Sequence, residues 1–206
     1  MKNLFPLMLA FFSLTLSGCN YLGFMADKSM LGKDKPAQYT LSKDSTIVIA
    51  ENWRNPTGSE TDAQEIEQAV YDKLRELDLG PQVSPTEVMD LKAQRPDFSK
   101  LSIAEIGKLV GAKQIIYINL TETRLVGAEG SDAYTGKSTA RVKVVDADTG
   151  QALWPIDNAD GFPISLKTDI AMAPTEKQKN SLREKLIQAT AEQIAELFYT
   201  VHPTEE

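Results

Sequence analysis

The sequence predicts an α+β fold, in which helices pack on a mixed sheet of about 4–5 strands. Short runs rich in β-branched residues indicate strands, and segments with apolar residues three and four positions apart indicate helices. The longest helical pattern stands last in the chain. We therefore expect a long C-terminal helix and a group of N-terminal helices, all packed on the sheet.

The first half of the chain predicts one strand followed by helices. The β-branched run at 45–50 predicts the strand. A capping box at 61–64 starts a helix that we expect to end at Gly80, and further helix starts follow at 84–87 and 102–105. The apolar residues expected on the helix faces are Ile66, Val70, Leu74, Leu77, Ile103, Ile106, Leu109 and Val110.

The second half predicts most of the sheet. Residues 112–120 are the most strand-like run, and 127–136 predicts a glycine-rich polar loop. Alternation of apolar and charged residues at 140–144 is typical of a strand with one wet face. A turn at 146–150 and a paired strand at 151–154 complete a hairpin.

An edge strand at 162–167 and the final helix complete the predicted elements. Pro174 and Thr175 start that helix, and Gln178 closes its capping box. Gly111 and Gly150 fit left-handed positions at the ends of a helix and a turn, so we expect them to be structural. The residues expected on the apolar face of that helix are Leu182, Leu186, Ile194, Leu197, Phe198 and Val201.

The first 19 residues indicate export and lipid anchoring. One positive charge precedes the apolar stretch 4–16, as in a secretory signal peptide. Leu16, Ser17, Gly18 and Cys19 resemble the lipobox of bacterial lipoproteins. The resemblance implies that the Cys19 thiol receives a diacylglycerol and that its freed amine receives an acyl chain such as palmitate. We expect no other cofactor.

Two other interpretations of this segment stay open. Cys19 could be incidental to an ordinary signal peptide, or the apolar stretch could be a short transmembrane helix. The stretch 4–16 is shorter than the roughly 20 residues that span a bilayer. By resemblance to enteric-type sorting, Asn20 after the cysteine favours the outer membrane, with the domain facing the periplasm.

The organisation predicted for the whole chain has four parts. Residues 1–18 are the signal peptide, and 19–44 are the acylated cysteine with a flexible tether. A single α+β domain spans 45–201, and 202–206 form a tail. Two or more acyl chains anchor a protein stably, whereas one binds a membrane only marginally.

Composition and motifs argue against several functions. The net charge of -7 and the scattered lysines and arginines disfavour binding to nucleic acid or to anionic lipid head groups. His202 is the only histidine, and no metal or catalytic cluster is evident. Asp146 and Asp148 lack the rest of a calcium loop. We therefore expect no enzyme and no metal.

Tryptophan provides the candidate binding residues. Trp53 and Arg54 follow the first strand, and both residue types are favoured in interfaces, so they are the candidate partner-binding residues. The alternative for Trp53 is a lid over the end of the sheet. Trp154 is expected in the core.

Two segments carry a resemblance to known lipoproteins. Residues 105–112, running into the strand at 115–118, resemble the helix, Gly-Ala, strand segment of a group of related domains. Residues 142–154 are similar to the same group's hairpin ending in Trp. The group comprises the curli-secretion (CsgG-type) lipoproteins, the penicillin-binding-protein activator lipoproteins and the TolB amino-terminal domain. The resemblance covers about residues 45–201 and implies envelope proteins that bind partners or oligomerise without catalysis.

The expected function follows from the anchor and this resemblance. We expect a cell-envelope lipoprotein whose domain binds another envelope protein, as an adaptor or accessory subunit. The alternative is a homo-oligomeric component of a curli-type secretion or transport assembly. Against a pore, the candidate insertions 120–139 and 155–173 do not offer two convincing lipid-facing strands.

Overall fold

The computed structural model describes residues 34–52, 60–80, 83–127 and 129–202. Residues 37–199 form one compact unit, which contains every helix and strand found in these described ranges. A separate small unit includes residues 34–36 and 200–202. In it, Lys35 and Val201 exchange two backbone hydrogen bonds of 2.9 Å each, and His202 contacts Asp34.

Along the described chain, one strand is followed by three helices, five consecutive strands and a final helix. The strands are β1 (Thr46–Glu51), β2 (Gln114–Gly127), β3 (Ala133–Asp146), β4 (Ala152–Trp154), β5 (Phe162–Lys167) and β6 (Ala171–Met172). The helices are α1 (Glu60–Glu76), α2 (Pro85–Gln94), α3 (Ile103–Leu109) and α4 (Glu176–Ala195), with a short 3-10 turn at Phe98–Lys100. Within the described ranges, no helix combines the length and apolar character needed to cross a membrane.

The strands form one mixed sheet, which confirms the predicted α+β class. β1 lies parallel to β2, and β2 pairs antiparallel with β3. The far edge of β3 pairs in turn with β4, β5 and β6. The sheet has 6 strands rather than the expected 4–5, because the two-residue β6 adds to the end of β3.

The hairpin of β2 and β3 is longer than predicted. Each strand has 14 residues, so residues 127 and 133–136 of the expected loop are strand. Gly136 is a packing residue in β3, because a Cβ there would lie 3.2 Å from the Leu186 side chain on α4. Thr121 forms a β-bulge: Leu120 pairs with Ala140, whereas Glu122 pairs with Thr139.

Helices cover one face of the sheet along most of its length. The helices α1 and α4 pack against this covered face and bury a large apolar cluster. Its fully buried members include Val48, Ile66, Ile116, Ile118, Val142, Val144 and Ile194. On the other face, α2 and α3 enclose a smaller cluster around Ile47, Ile49, Ile106 and Ile115.

The predicted capping boxes at 102–105 and 175–178 are confirmed, whereas the one at 61–64 is wrong, because α1 begins at Glu60 and Thr61 lies inside its first turn. Ser102 and Thr175 form capping boxes at the starts of α3 and α4, and Gly111 takes a positive φ of 74° after α3. The end of α1 differs, because Asp78 takes the left-handed conformation and the Leu79 N–H donates to the Leu74 carbonyl. Gly80 is therefore not the residue that ends α1.

Two further expectations are corrected at the edges of the core. Leu109 was expected on the apolar face of its helix, but 48% of it is exposed because it lies in the last turn of α3. Residues 37–44, expected in the flexible tether 19–44, belong to the compact unit. The N–H groups of Gln38 and Tyr39 donate to the Leu197 carbonyl, and Tyr39 packs against the core.

Candidate interaction surface

The two faces of β3 have opposite chemistry. Successive side chains of a strand point to opposite faces, so Val142 and Val144 lie in the covered apolar cluster while Arg141 and Lys143 lie on the other side. Alternation places the rest of β3 in the same two classes, with Lys137 on the side of Arg141. One strand thus contributes both to the core and to a charged surface.

The second side carries a group of cations that we call the basic face. Its members are Arg124 of β2, Lys137, Arg141 and Lys143 of β3, and Lys167 of β5. The strand register brings them together, since Lys137 pairs with both Arg124 and Lys167. Two carboxylates, Glu51 and Glu122, lie on the same side.

The basic face is accessible to solvent. Helices α2 and α3 pack on the apolar cluster at one end of this side, against Ile47 and Ile115. Beyond that cluster Arg124, Ser165 and Lys167 are exposed, and Lys137 and Arg141 are half-buried among their neighbours on the sheet. This open part of the sheet is available to a partner.

The two carboxylates neutralise only part of the positive charge. Glu122 accepts hydrogen bonds from Arg124 Nε at 2.8 Å and from Lys137 Nζ at 2.5 Å. The hydrogen bond from Lys137, aided by Arg124, lowers the pKa of the Glu122 carboxyl against the opposing effect of burial. Glu51 accepts a hydrogen bond of 3.0 Å from the Tyr117 hydroxyl.

Three cations of the basic face have no carboxylate partner in the described part of the chain. Arg141 donates only to the Gly161 carbonyl, at 3.4 Å, and Lys143 and Lys167 make no ion pair there. The whole chain nevertheless carries a net charge of -7. The face is therefore a local positive region on an acidic protein.

A cleft lies at the end of the sheet where β2 begins. It has a volume of about 310 Å³, and its lining residues are Tyr39, Ser42, Asp44, Lys113, Gln114, Asp146, Asp148 and Leu153. Its polar groups already have partners: Gln114 Nε2 donates to the Tyr39 hydroxyl at 3.1 Å, and Lys113 pairs with Asp148 at 3.0 Å. Burial raises the pKa of Tyr39, and the hydrogen bond from Gln114 opposes that effect.

Asp146 and Asp148 of this cleft lie in a turn, as predicted. The Asp146 carboxylate accepts the Thr149 N–H at 2.7 Å and the Thr149 hydroxyl at 2.9 Å, and Gly150 has a φ of +72°. These bonds lower the pKa of Asp146. The described ranges contain no group of three or more side chains suited to hold a metal ion.

A buried carboxyl group lies on the covered side. Glu67 of α1 is 7% exposed and accepts the Ala50 N–H of β1 at 2.7 Å. Burial raises its pKa from the usual 4.5 to about 7, while the Ala50 N–H opposes the shift and the charge of Glu51 adds to it. Because β1 is an edge strand, this carboxyl group satisfies a backbone donor of the sheet edge.

The residues predicted to form sites fall into two groups. Leu16, Ser17, Gly18 and Cys19 lie outside the described residues, as do Trp53 and Arg54, so their roles stay predictions. Trp154 packs against the core as expected, with its ring centroid 5.1 Å from that of Phe162.

Sequence reasoning missed the basic face because its cations come from three separate strands. Arg124, Lys137 and Lys167 are far apart in the chain and meet only through the strand register. The available signal was the alternation that puts Lys137, Arg141 and Lys143 on one side of a strand. That alternation predicts that one face of β3 is exposed to water, but it does not show which strands lie beside β3.

Comparison with known proteins identifies no family. The sequence matches no protein-family profile and no curated protein. Its structure is similar to lipoprotein GNA1162 from Neisseria meningitidis, with 18% identity over 74% of this chain and 98% of that chain, at a TM-score of 0.47. It is also similar to a PelC dodecamer from Paraburkholderia phytofirmans, with 12% identity over 81% and 97% of the two chains and a TM-score of 0.47.

These similarities are too distant to assign a function. Both TM-scores lie below 0.5 and both identities below 20%. The resemblance to the curli-secretion, penicillin-binding-protein activator and TolB group therefore stays a prediction from the sequence. Functional inference depends on the residues of this chain.

Proposed function

We propose that this chain is a bacterial cell-envelope lipoprotein whose non-catalytic domain binds another envelope protein through the basic face. The lipobox-like run ending at Cys19 supports the anchor. The observation that carries the binding role is the open sheet surface on which Arg141, Lys143 and Lys167 have no carboxylate partner among the residues that the structure describes. The proposal includes an adaptor or accessory role. Its location, on the outer membrane and facing the periplasm, is supported by Asn20 after the cysteine.

Binding fits the chemistry of this surface better than catalysis does. Its side chains are cations, hydroxyls and two carboxylates, and both carboxylates are engaged by Arg124, Lys137 or Tyr117. A catalytic acid or base needs a proton-transfer partner and a concave position for a substrate. An open, charged sheet surface instead favours contact with another macromolecule.

The first experiment tests the anchor. Intact mass spectrometry of the protein extracted from its native membrane should show a chain that starts at Cys19 and carries the diacylglycerol and an N-linked acyl chain. The Cys19→Ser variant should lose both the acyl mass and the membrane fraction. A native protein found soluble in the cytosol with a bare Cys19 thiol would contradict the proposal.

The second experiment tests partner binding in intact cells. A photo-crosslinking residue replaces Ser165, which is exposed on the basic face, and in a control it replaces Gln188, which is exposed on α4. We expect a discrete cross-linked product from position 165 only. The absence of a product at 165, or equal products at both positions, would refute a binding role for this face.

The alternative, an oligomeric secretion or transport component, is distinguished by mass. An accessory subunit extracted in mild detergent should have a native mass near that of a monomer or of a defined complex with its partner. A stable homo-oligomer many times heavier than the monomer would favour the alternative.

A further inference from the structure

We infer that the partner docks an acidic protein surface on the basic face, with its carboxylates over Arg141, Lys143 and Lys167. This inference rests on the proposed function and specifies the chemistry of the partner. The three cations are the members of the face that lack a carboxylate in the described residues. A partner that supplies carboxylates would complete the pairing that Glu122 provides for Arg124 and Lys137.

The strand geometry sets the spacing that the partner must match. Arg141 and Lys143 are two residues apart on β3, so their attachment points are about 7 Å apart. The cations of β3 form one row along that strand. Lys167 lies on the neighbouring strand β5, opposite Lys137, and so begins a second row. Carboxylates on alternate residues of an extended segment, or on one face of a helix, can meet such rows.

Hydroxyl groups lie between the cations and can fix the docked surface. The Thr121 and Thr139 hydroxyls are 2.7 Å apart on this side, and Thr139 pairs with the exposed Ser165 of β5. Hydroxyls both donate and accept hydrogen bonds, so they suit the backbone and the polar side chains of a protein. The charges of the cations would then orient the partner protein, and hydrogen bonds from the hydroxyls would fix its position on the sheet.

An anionic membrane is the competing occupant, and the end of the hairpin disfavours it. Glu129 and Asp132 lie in the turn beyond Arg124 and Lys137, and Asp169 follows Lys167. A membrane is a wide plane, so lipid that covers the basic face would also meet these carboxylates. A protein surface is limited in size and can contact the cations alone.

The first test uses a defined acidic probe. A fluorescent ten-residue peptide of alternating glutamate and threonine is titrated into the full mature chain in non-ionic detergent, and anisotropy is measured at low and high salt. We expect binding that weakens as salt rises, because surface charges are screened beyond about 10 Å at 0.1 M. Circular dichroism shows whether each variant remains folded.

Charge reversal distinguishes the basic face from the protein as a whole. The variant R141E/K143E should bind the peptide about tenfold more weakly, because two attractions become repulsions. The matched control K177E/K185E makes the same change of charge on exposed residues of α4 and should leave the affinity unchanged. Equal affinities for the two variants would overturn the inference.

Two further outcomes would also overturn it. One is binding of the chain to phosphatidylglycerol vesicles, lost in R141E/K143E, without binding of the peptide; the face would then be a lipid site. The other is a native mass above the monomer that falls in R141E/K143E, which would make a second copy the occupant.

The inference and the proposed function can fail separately. If the cross-link from position 165 persists in the R141E/K143E background, the face binds a partner but not through an acidic surface. If no cross-link forms in the parent protein, the proposed function fails irrespective of the peptide result.

Discussion

The two sides of β3 show how one strand serves stability and recognition through alternate residues. Ala140, Val142 and Val144 lie beneath α1 and α4 and are at most 2% exposed. Arg141 and Lys143, their immediate neighbours, belong to the basic face. The two sets belong to the same strand but contact different neighbours. A substitution on the buried side should therefore change stability without changing binding, and a substitution on the basic face should change binding without changing stability. Substitutions on each side of the sheet test this separation.

The largest effect on stability is expected in the large apolar cluster under α1 and α4. Ile118 is completely buried among the residues under α1 and α4, so Ile118→Ala should lower the free energy of unfolding by about 2–5 kcal/mol. Urea denaturation followed by circular dichroism measures the loss. Ser165→Ala, on the exposed side of β5, should cost less than about 0.5 kcal/mol. Similar losses in both variants would remove the contrast between the faces.

The next effect depends on pH and concerns Glu67. Its pKa is raised to about 7 in the folded state, so the folded protein holds this proton more tightly than the unfolded chain does. The contribution of Glu67 to stability is therefore complete below pH 4.5 and is lost as pH rises through about 7. Glu67→Gln should remove this dependence and stabilise the protein at pH 8 by on the order of 2–3 kcal/mol.

The measurement for Glu67 is a set of urea titrations between pH 4 and pH 8. Glu184→Gln, at an exposed position of α4, is the control and should keep the pH dependence of the parent protein. If Glu67→Gln shows the same slope as the parent, Glu67 does not titrate in this range.

A smaller effect on stability is expected at the start of α3, which covers part of the sheet side that also carries the basic face. Ser102 accepts the Glu105 N–H at the start of the seven-residue α3, so Ser102→Ala should cost about 1 kcal/mol of unfolding free energy. Ser102→Asp should retain most of the stability, because aspartate is an equally good N-cap. Thermal unfolding of the three proteins tests this. A larger loss in the Asp variant than in the Ala variant would show that capping is not the cause.

The smallest effect on stability belongs to the basic face itself. Lys143→Glu should change the unfolding free energy by no more than about 0.5 kcal/mol, since Lys143 makes no ion pair in the described part of the chain. Urea denaturation at neutral pH measures it. A loss above about 2 kcal/mol would mean that Lys143 supports the fold and that its charge cannot be assigned to binding alone.

Sequence reasoning succeeded where local physics decides the structure. The N-caps at Ser84, Ser102 and Thr175 and the Asp146 turn use contacts a few residues apart, and all form as predicted. The strand at 112–120 was evident from its β-branched run. Such signals need no knowledge of the rest of the chain.

It failed where the structure depends on distant contacts. Gly136 was assigned to a loop, yet its place in β3 follows from the packing of α4 against the sheet. The packing of Tyr39 onto the core likewise depends on residues near the other end of the chain. The basic face depends on the pairing of three strands, which no local pattern specifies.

The bulge at Thr121 has a consequence for how this protein can change in length. Because the register of β2 with β3 skips Thr121, deleting its codon would join Leu120 directly to Glu122 in a regular ladder. Every later side chain of β2 would keep its present side, so Leu125 would stay inside and Arg124 outside. The gene can therefore lose one triplet at this position without exchanging the interior and exterior of the hairpin.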